Sequence, residues 1–362
     1  MCWCLLCFSV ALVLTFAESP PPQTGEPLPQ ASPSPSPSPS PSPSPTPITG
    51  LHQWGAVTLF HGLPSDRVHA ITQTSDGAMW FGTEAGLAKF DGRRTQTIND
   101  PALPAGRVLA LQTGADGTMW VGTESGAARF SGGVFERIKE TTTQSVSAIV
   151  TVNGDAFMTT EQGNVFESRV RPGAAPETHA LLNEPLQSAD RERQGPLPIT
   201  SISKANDRLF IGTLSRGVLE IENGRVKEPP PRPATFFINA LERDADGKLW
   251  AGGKARKEEP GAFSGTDAAN LKRFDAPTGP VLTLKTIGDE MWIGTDGRGV
   301  FRVAKAKTQR FTFDGTAGGL RSDHVYAIFA DREGVIWFGT DRGVCRFDPQ
   351  APRVEPVGDN SD

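Results

Sequence analysis

Asp76-Gly77-Ala78-Met79-Trp80-Phe81-Gly82-Thr83 returns 40 residues later as Asp116-Gly117-Thr118-Met119-Trp120-Val121-Gly122-Thr123, and this recurrence is the key to the architecture. Each stretch opens on Asp-Gly, a strong hairpin signal because the turn needs positive φ, where glycine carries no steric cost. The flanks repeat too, with Leu63-Pro64 and Arg67-Val68 before the first copy, Leu103-Pro104 and Arg107-Val108 before the second, and Gly86 and Gly126 after them. One aromatic fills the tryptophan slot again at Phe157, Phe210, Trp250, Trp292 and Trp337. The seven slots recur about every 43 residues, within the ~40 to 50 residue period of propeller blades.

A helical repeat does not fit, because the segments between turns are short and β-branched or alternating, as in Val146 to Val152 and Ile199 to Ser203. Each unit instead reads as a four-stranded meander. In the first, strand a is Val68 to Thr74, strand b Ala78 to Thr83, strand c Leu87 to Phe90 and strand d about Thr95 to Ile98. The expected fold is all-β, a single seven-bladed β-propeller of four-stranded blades spanning residues 51–352. The run Trp54 to Phe60 is expected to supply the outer strand of the last blade, joining the two ends of the domain and protecting its edges.

Ahead of the repeats, an apolar run ends at Thr15-Phe16-Ala17 and reads as a signal peptide over 1–17, too short for a membrane span of ~20 apolar residues. No Lys or Arg precedes it, so an uncleaved N-terminus acting as a membrane tether is the alternative. Residues 18–50 read as a disordered Pro/Ser linker, with Ser or Thr alternating with Pro from Ser32 to Pro47, and 353–362 as a disordered tail. Cleavage after Ala17 leaves Cys345 as the one cysteine, which excludes an internal disulfide or a cysteine-based metal site. A net charge of -5 argues against a nucleic-acid partner.

Gly62-Leu63-Pro64, Val68, Ala70-Ile71, Asp76-Gly77, Trp80-Phe81-Gly82-Thr83 and Gly86-Leu87 resemble the two-component regulator propeller repeat. Gly319-Leu320, Val325-Tyr326-Ala327-Ile328 and Ile336-Trp337-Phe338-Gly339-Thr340 match it again. The resemblance implies the periplasmic sensor part of a membrane-bound histidine kinase, often built of two propellers that recognise carbohydrate breakdown products. Only one propeller's worth of repeats is present and the sequence stops at Asp362 without a kinase segment, so phosphotransfer output is not expected of this polypeptide.

In a meander the d-to-a connections and b-to-c turns share one face, here termed the top, and loops on rigid β scaffolds are where binding residues concentrate. The residue before strand a is Arg67, Arg107, Ser145, Pro198, Phe237, Pro280 and His324 in blades one to seven. The first residue of the b-to-c turn is Glu84, Glu124, Glu161, Leu214, Lys254, Asp296 and Asp341. Because blade seven abuts blade one, Arg67, Arg107 and His324 are expected in one sector with Glu84, Glu124 and Asp341 facing them, and His69 and Tyr326, the one tyrosine, nearby. These eight residues are the candidate ligand site. The seven aromatic slots are expected to be inter-blade core, and Cys345 a buried thiol. Long stretches over 183–198 and 254–260 suggest insertions on the same face.

No His-x-x-x-His or Cys-x-x-Cys pair, Gly-x-Ser-x-Gly elbow or phosphate-cradling loop is present, so neither a catalytic motif nor a metal or other cofactor is indicated. The expected function is extracytoplasmic ligand recognition, in the periplasm or outside the cell. The partner is an oligosaccharide or another small polar ligand, or a membrane signalling protein. The alternatives are a lyase similar to streptogramin-lyase propellers, which share the Asp-Gly-x-x-Trp repeat, and a protein-interaction scaffold.

Overall fold

The computed structural model describes residues 53–171, 176–188, 195–227, 237–254, 259–305 and 307–351. The signal segment, the Pro/Ser linker, the C-terminal tail and the insertion residues Ala189 to Gln194 lie outside the described residues.

Among the described residues, twenty-eight strands form seven four-stranded antiparallel sheets. In the first blade, β2 (Val68–Gln73), β3 (Met79–Thr83), β4 (Gly86–Phe90) and β5 (Thr95–Thr97) follow one another from the inside outward, close to the expected meander. The innermost strands are β2, β6 (Val108–Thr113), β10 (Val146–Val152), β14 (Ile199–Ala205), β18 (Ile238–Arg243), β22 (Val281–Ile287) and β26 (Val325–Ala330). Each packs on the next, and β26 packs on β2, which closes the ring. The hairpin glycines take the left-handed conformation their turns require, with φ of 84° at Gly77 and 83° at Gly117.

Closure occurs where the sequence places it. Strand β1 (Trp54–Val57) pairs antiparallel with β28 (Gly343–Phe347), whose inner neighbours are β27 (Ile336–Thr340) and β26, so the seventh blade combines both ends of the domain. β1 stops at Val57, short of the expected Phe60, because the chain turns into a 3-10 segment at Leu59–His61. His61 Nδ1 accepts the Thr58 amide at 3.1 Å and fixes that turn. Trp54 packs against Phe347, Phe338 and Phe311 at 4.8, 5.9 and 6.2 Å between ring centroids.

The core is divided into seven clusters, one per interface between blades. Trp80, Trp120, Phe157, Phe210, Trp250, Trp292 and Trp337 are all buried, as expected of core residues. Three indoles find their partner six residues upstream. Trp80 donates to Thr74 Oγ1 at 2.8 Å, Trp250 to Asp244 Oδ2 at 2.8 Å and Trp337 to Asp331 Oδ2 at 2.6 Å. Gly114 holds that slot in the second blade, and the buried Trp120 Nε1 has no partner among the described residues. Cys345 is fully buried opposite Phe338, and burial pushes its thiol up to about 12.

The glycine of strand b sets the spacing between blades. A Cβ on Gly82 would lie 2.6 Å from Cγ1 of Val108, the first residue of the next inner strand, and one on Gly252 would lie 2.3 Å from Val281 Cγ1. The absence of a side chain there lets the neighbouring blade seat its valine against the sheet. Gly82→Ala is therefore expected to destabilise the protein by ~1–3 kcal/mol through overpacking, read as a lowered midpoint in chemical denaturation. An unchanged midpoint would show that the interface has slack.

Candidate functional site

Two backbone positions are locked together on the top face. The amide of the first b-to-c turn residue donates to the carbonyl of the residue before strand a, as in Glu84 to Arg67 at 3.0 Å, Glu124 to Arg107 at 3.1 Å and Asp296 to Pro280 at 3.0 Å. The threonine that ends strand b closes the turn itself. Thr83 Oγ1 donates to Gly86 O at 2.8 Å and accepts the Ala85 amide at 3.2 Å, and Thr123, Thr295 and Thr340 likewise donate to Gly126, Gly299 and Gly343. The Gly-Thr of the repeat thus has two uses. Glycine spaces the blades, and threonine holds the turn whose first residue projects from the top face.

On this frame side-chain contacts gather on blades six, seven, one and two, as one pair and one longer chain. His324 donates from Nδ1 to Asp296 Oδ1 at 2.5 Å across the sixth and seventh blades. The Tyr326 and His69 rings meet across the seventh and first, with centroids 5.4 Å apart. His69 donates from Nε2 to Glu84 Oε2 at 2.7 Å. Arg107, from the second blade, lies 3.8 Å from Glu84 Oε1 and donates from Nε to Glu124 Oε2 at 2.7 Å. The arginines and histidines therefore do not form a bare cationic patch, since carboxylates interleave with them.

The electrostatics agree with this geometry. The His69 hydrogen bond, helped by the charges of Arg107 and Arg67, holds the Glu84 carboxyl below its ordinary value, against a smaller opposing effect of burial. The hydrogen bond to Glu124 raises Arg107. Burial pushes the Tyr326 phenol up; Arg67 opposes this, while the charges of Asp341, Asp296 and Glu84 reinforce it. Arg67, Asp341 and Tyr326 thus sense one another. Asp341 Oδ1 is buried with no hydrogen-bond partner among the described residues.

Of the eight candidates, contacts join His69, Tyr326, Glu84, Arg107 and Glu124; His324 pairs separately with Asp296, and Arg67 and Asp341 enter only through their charges. Asp296, outside the eight candidates, joins them through His324. Its sequence signal was its turn position, equivalent to Glu84, but its histidine partner comes from the adjacent blade and leaves no mark in local sequence. His69 and Tyr326 share a second feature, since each sits at a break in register at the start of its inner strand. The same bulge recurs in every blade, at Leu109, Ser147, Thr200, Asn239 and Leu282. A bulge re-aims a side chain, and bulges concentrate next to functional sites. No group of three or more His, Cys, Asp or Glu residues that could hold a metal ion is found among the described residues.

Seven four-stranded blades closed by pairing of the two ends define the chain as a seven-bladed β-propeller. Residues 62–85, 102–125 and 319–342 match the two component regulator propeller repeat, so the chain carries repeats of that family. The extracellular domain of the putative hybrid two component system BT4673 from B. thetaiotaomicron is similar in fold, with a TM-score of 0.67 and 19% identity over 83% of this chain. The chain spans only 40% of that domain's length. Virginiamycin B lyase from Staphylococcus aureus is also similar, with a TM-score of 0.61, 14% identity and coverage of 81% of this chain and 98% of its own. YCF48 from Cyanidioschyzon merolae reaches 0.59, with 15% identity and coverage of 83% and 100%. No curated protein matches the sequence. At these identities the likenesses establish the fold, which is shared by proteins with different functions.

Glu84 has a depressed folded pKa, so it stabilises the folded protein above the ordinary carboxylate value of 4.5, and that contribution is lost as the pH falls through the lowered folded value. His69→Ala is expected to return the Glu84 titration toward 4.5, measured by carboxyl NMR, and to flatten the acid side of the stability profile. An unmoved Glu84 titration would remove the histidine from the explanation.

Proposed function

We propose that the protein is an extracytoplasmic, sensor-type ligand-recognition propeller that binds an oligosaccharide or another small polar ligand on the top face of blades six, seven, one and two. The observation that carries this reading is the concentration of polar contacts in one sector. Asp296–His324, Tyr326–His69 and Glu84–Arg107–Glu124 occupy four consecutive blades, while Pro198 and Leu214 hold the equivalent positions in blade four. Surface pairs of this kind add at most ~1 kcal/mol to stability, so fold stability alone gives little reason for the cluster. Preset donors and acceptors beside a ring, at the mouth of a channel, suit a ligand with several hydroxyl or amide groups. An extracytoplasmic location agrees with the signal-like N-terminus and with the extracellular domain that the fold resembles. The output partner in this reading is a membrane signalling protein.

The His69–Glu84 pair favours one other reading, since a histidine oriented by a carboxylate can act as a general base and a lyase shares the fold. The two readings part on turnover. Isothermal titration of the full chain against a panel of oligosaccharides and polar metabolites is expected to give saturable binding with the ligand recovered intact. Arg67→Ala and Glu84→Gln should each weaken it about tenfold, the cost of losing a hydrogen bond to a charged group. Linearisation of virginiamycin B that disappears in His69→Ala would establish the lyase reading instead.

A further inference from the structure

We propose that the channel wall of this propeller has two unlike halves, and that the half formed by Leu282, Tyr326, His69 and Leu109 is a stacking site for the face of a flat, uncharged ring. The inference rests on the ligand-recognition reading and adds where and how part of the ligand seats. The bulge residue of each inner strand follows a valine or isoleucine that is at most 2% exposed, yet is itself half-exposed. The inner strands pack on one another around the axis, so a side chain left accessible at this register faces the channel.

In blades three, four and five the bulge residue is spent on joining blades. Ser147 Oγ donates to Ile199 O at 2.5 Å, Thr200 Oγ1 donates to Ile238 O, and Asn239 Nδ2 donates to Val281 O at 2.8 Å. Each reaches the first inner-strand carbonyl of the following blade, which makes this half a closed, hydrogen-bonded wall. The remaining four blades carry Leu282, Tyr326, His69 and Leu109 at the same register, and none of these side chains makes such a link among the described residues. Two rings tilted 58° to one another thus sit between two leucines. Such a crescent offers aromatic faces and aliphatic edges to a flat partner. Ring faces prefer tilted or offset aromatic partners at these separations. Either an aromatic ring or the apolar face of a sugar ring supplies the required chemistry.

Tyr326 is the single tyrosine, so full-length protein labelled with 3-fluorotyrosine gives one fluorine resonance, located at the crescent. Titration with indole and, separately, with cellobiose is expected to shift that resonance saturably with at least one of them. A response to indole alone assigns an aromatic ring face, and a response to cellobiose alone a sugar. His69→Ala and Leu109→Ala should each weaken the response about fivefold or more, whereas Ser147→Ala, on the closed half, should change it less than twofold. Circular dichroism of each variant verifies the fold. A resonance that neither probe moves overturns the proposal, as does equal weakening by Ser147→Ala. Calorimetric binding of an oligosaccharide without movement of the Tyr326 resonance would leave a top-face recognition module in place and remove the crescent from it.

Discussion

The contact on which the molecule depends is the seating of one blade's first inner-strand residue against the bare glycine of the blade before it. Val108 on Gly82, Val146 on Gly122 and Val281 on Gly252 are the same contact, repeated around the ring. It fixes the distance between sheets, and with that distance the aromatic of strand b fills the space left between them. The third blade departs from the rule, with Thr159 where the others have glycine. There the buried Thr159 takes the glycine position, and Ser147 of the same blade reaches the next one through its bond to Ile199 O at 2.5 Å. The departure falls in a weakly matching part of the repeat, which the three family matches do not cover.

The same few residues that build the blades also determine where chemistry can occur. Threonine at the end of strand b ties the turn, the turn's first amide ties the neighbouring connection, and two side chains per blade are left pointing off a fixed frame. Their identity differs from blade to blade: Arg67, Glu84, Arg107, Glu124 and His324 fall on one side of the ring, and Pro198, Leu214 and Phe237 are among those on the other.

Much of this could be read from the chain. Blade number, strand order, the buried aromatics, the Cys345 slot and the closing strand all followed from period and turn chemistry, which are local signals. The positions of Arg67, Glu84 and His324 followed from the repeat as well. Their partners did not. His69 meets Tyr326 from the opposite end of the sequence, and His324 meets Asp296 across a blade boundary, so each pairing depends on the angle between sheets. The bulge leaves no local mark because it inserts a single residue into an otherwise apolar run, as His69 does in Val68-His69-Ala70-Ile71. The orphan Trp120 nitrogen follows from Gly114, since the residue six upstream of the tryptophan in blades one, five and seven carries the accepting oxygen.

The closing pair gives the domain a definite mechanical character. Trp54 at the start of β1 lies opposite Phe347 at the end of β28, so the two strand ends leave the sheet on the same side. Force applied between them loads the ladder one rung at a time, from the Trp54–Phe347 rung inward to Val57–Val344. Such a pair peels like a zip, where opposed ends would resist in shear. The first rung carries the Trp54 aromatic cluster, which concentrates resistance at the point where peeling begins. The ring therefore holds as a clasp does, firm until its leading catch gives way, after which the remaining rungs offer little.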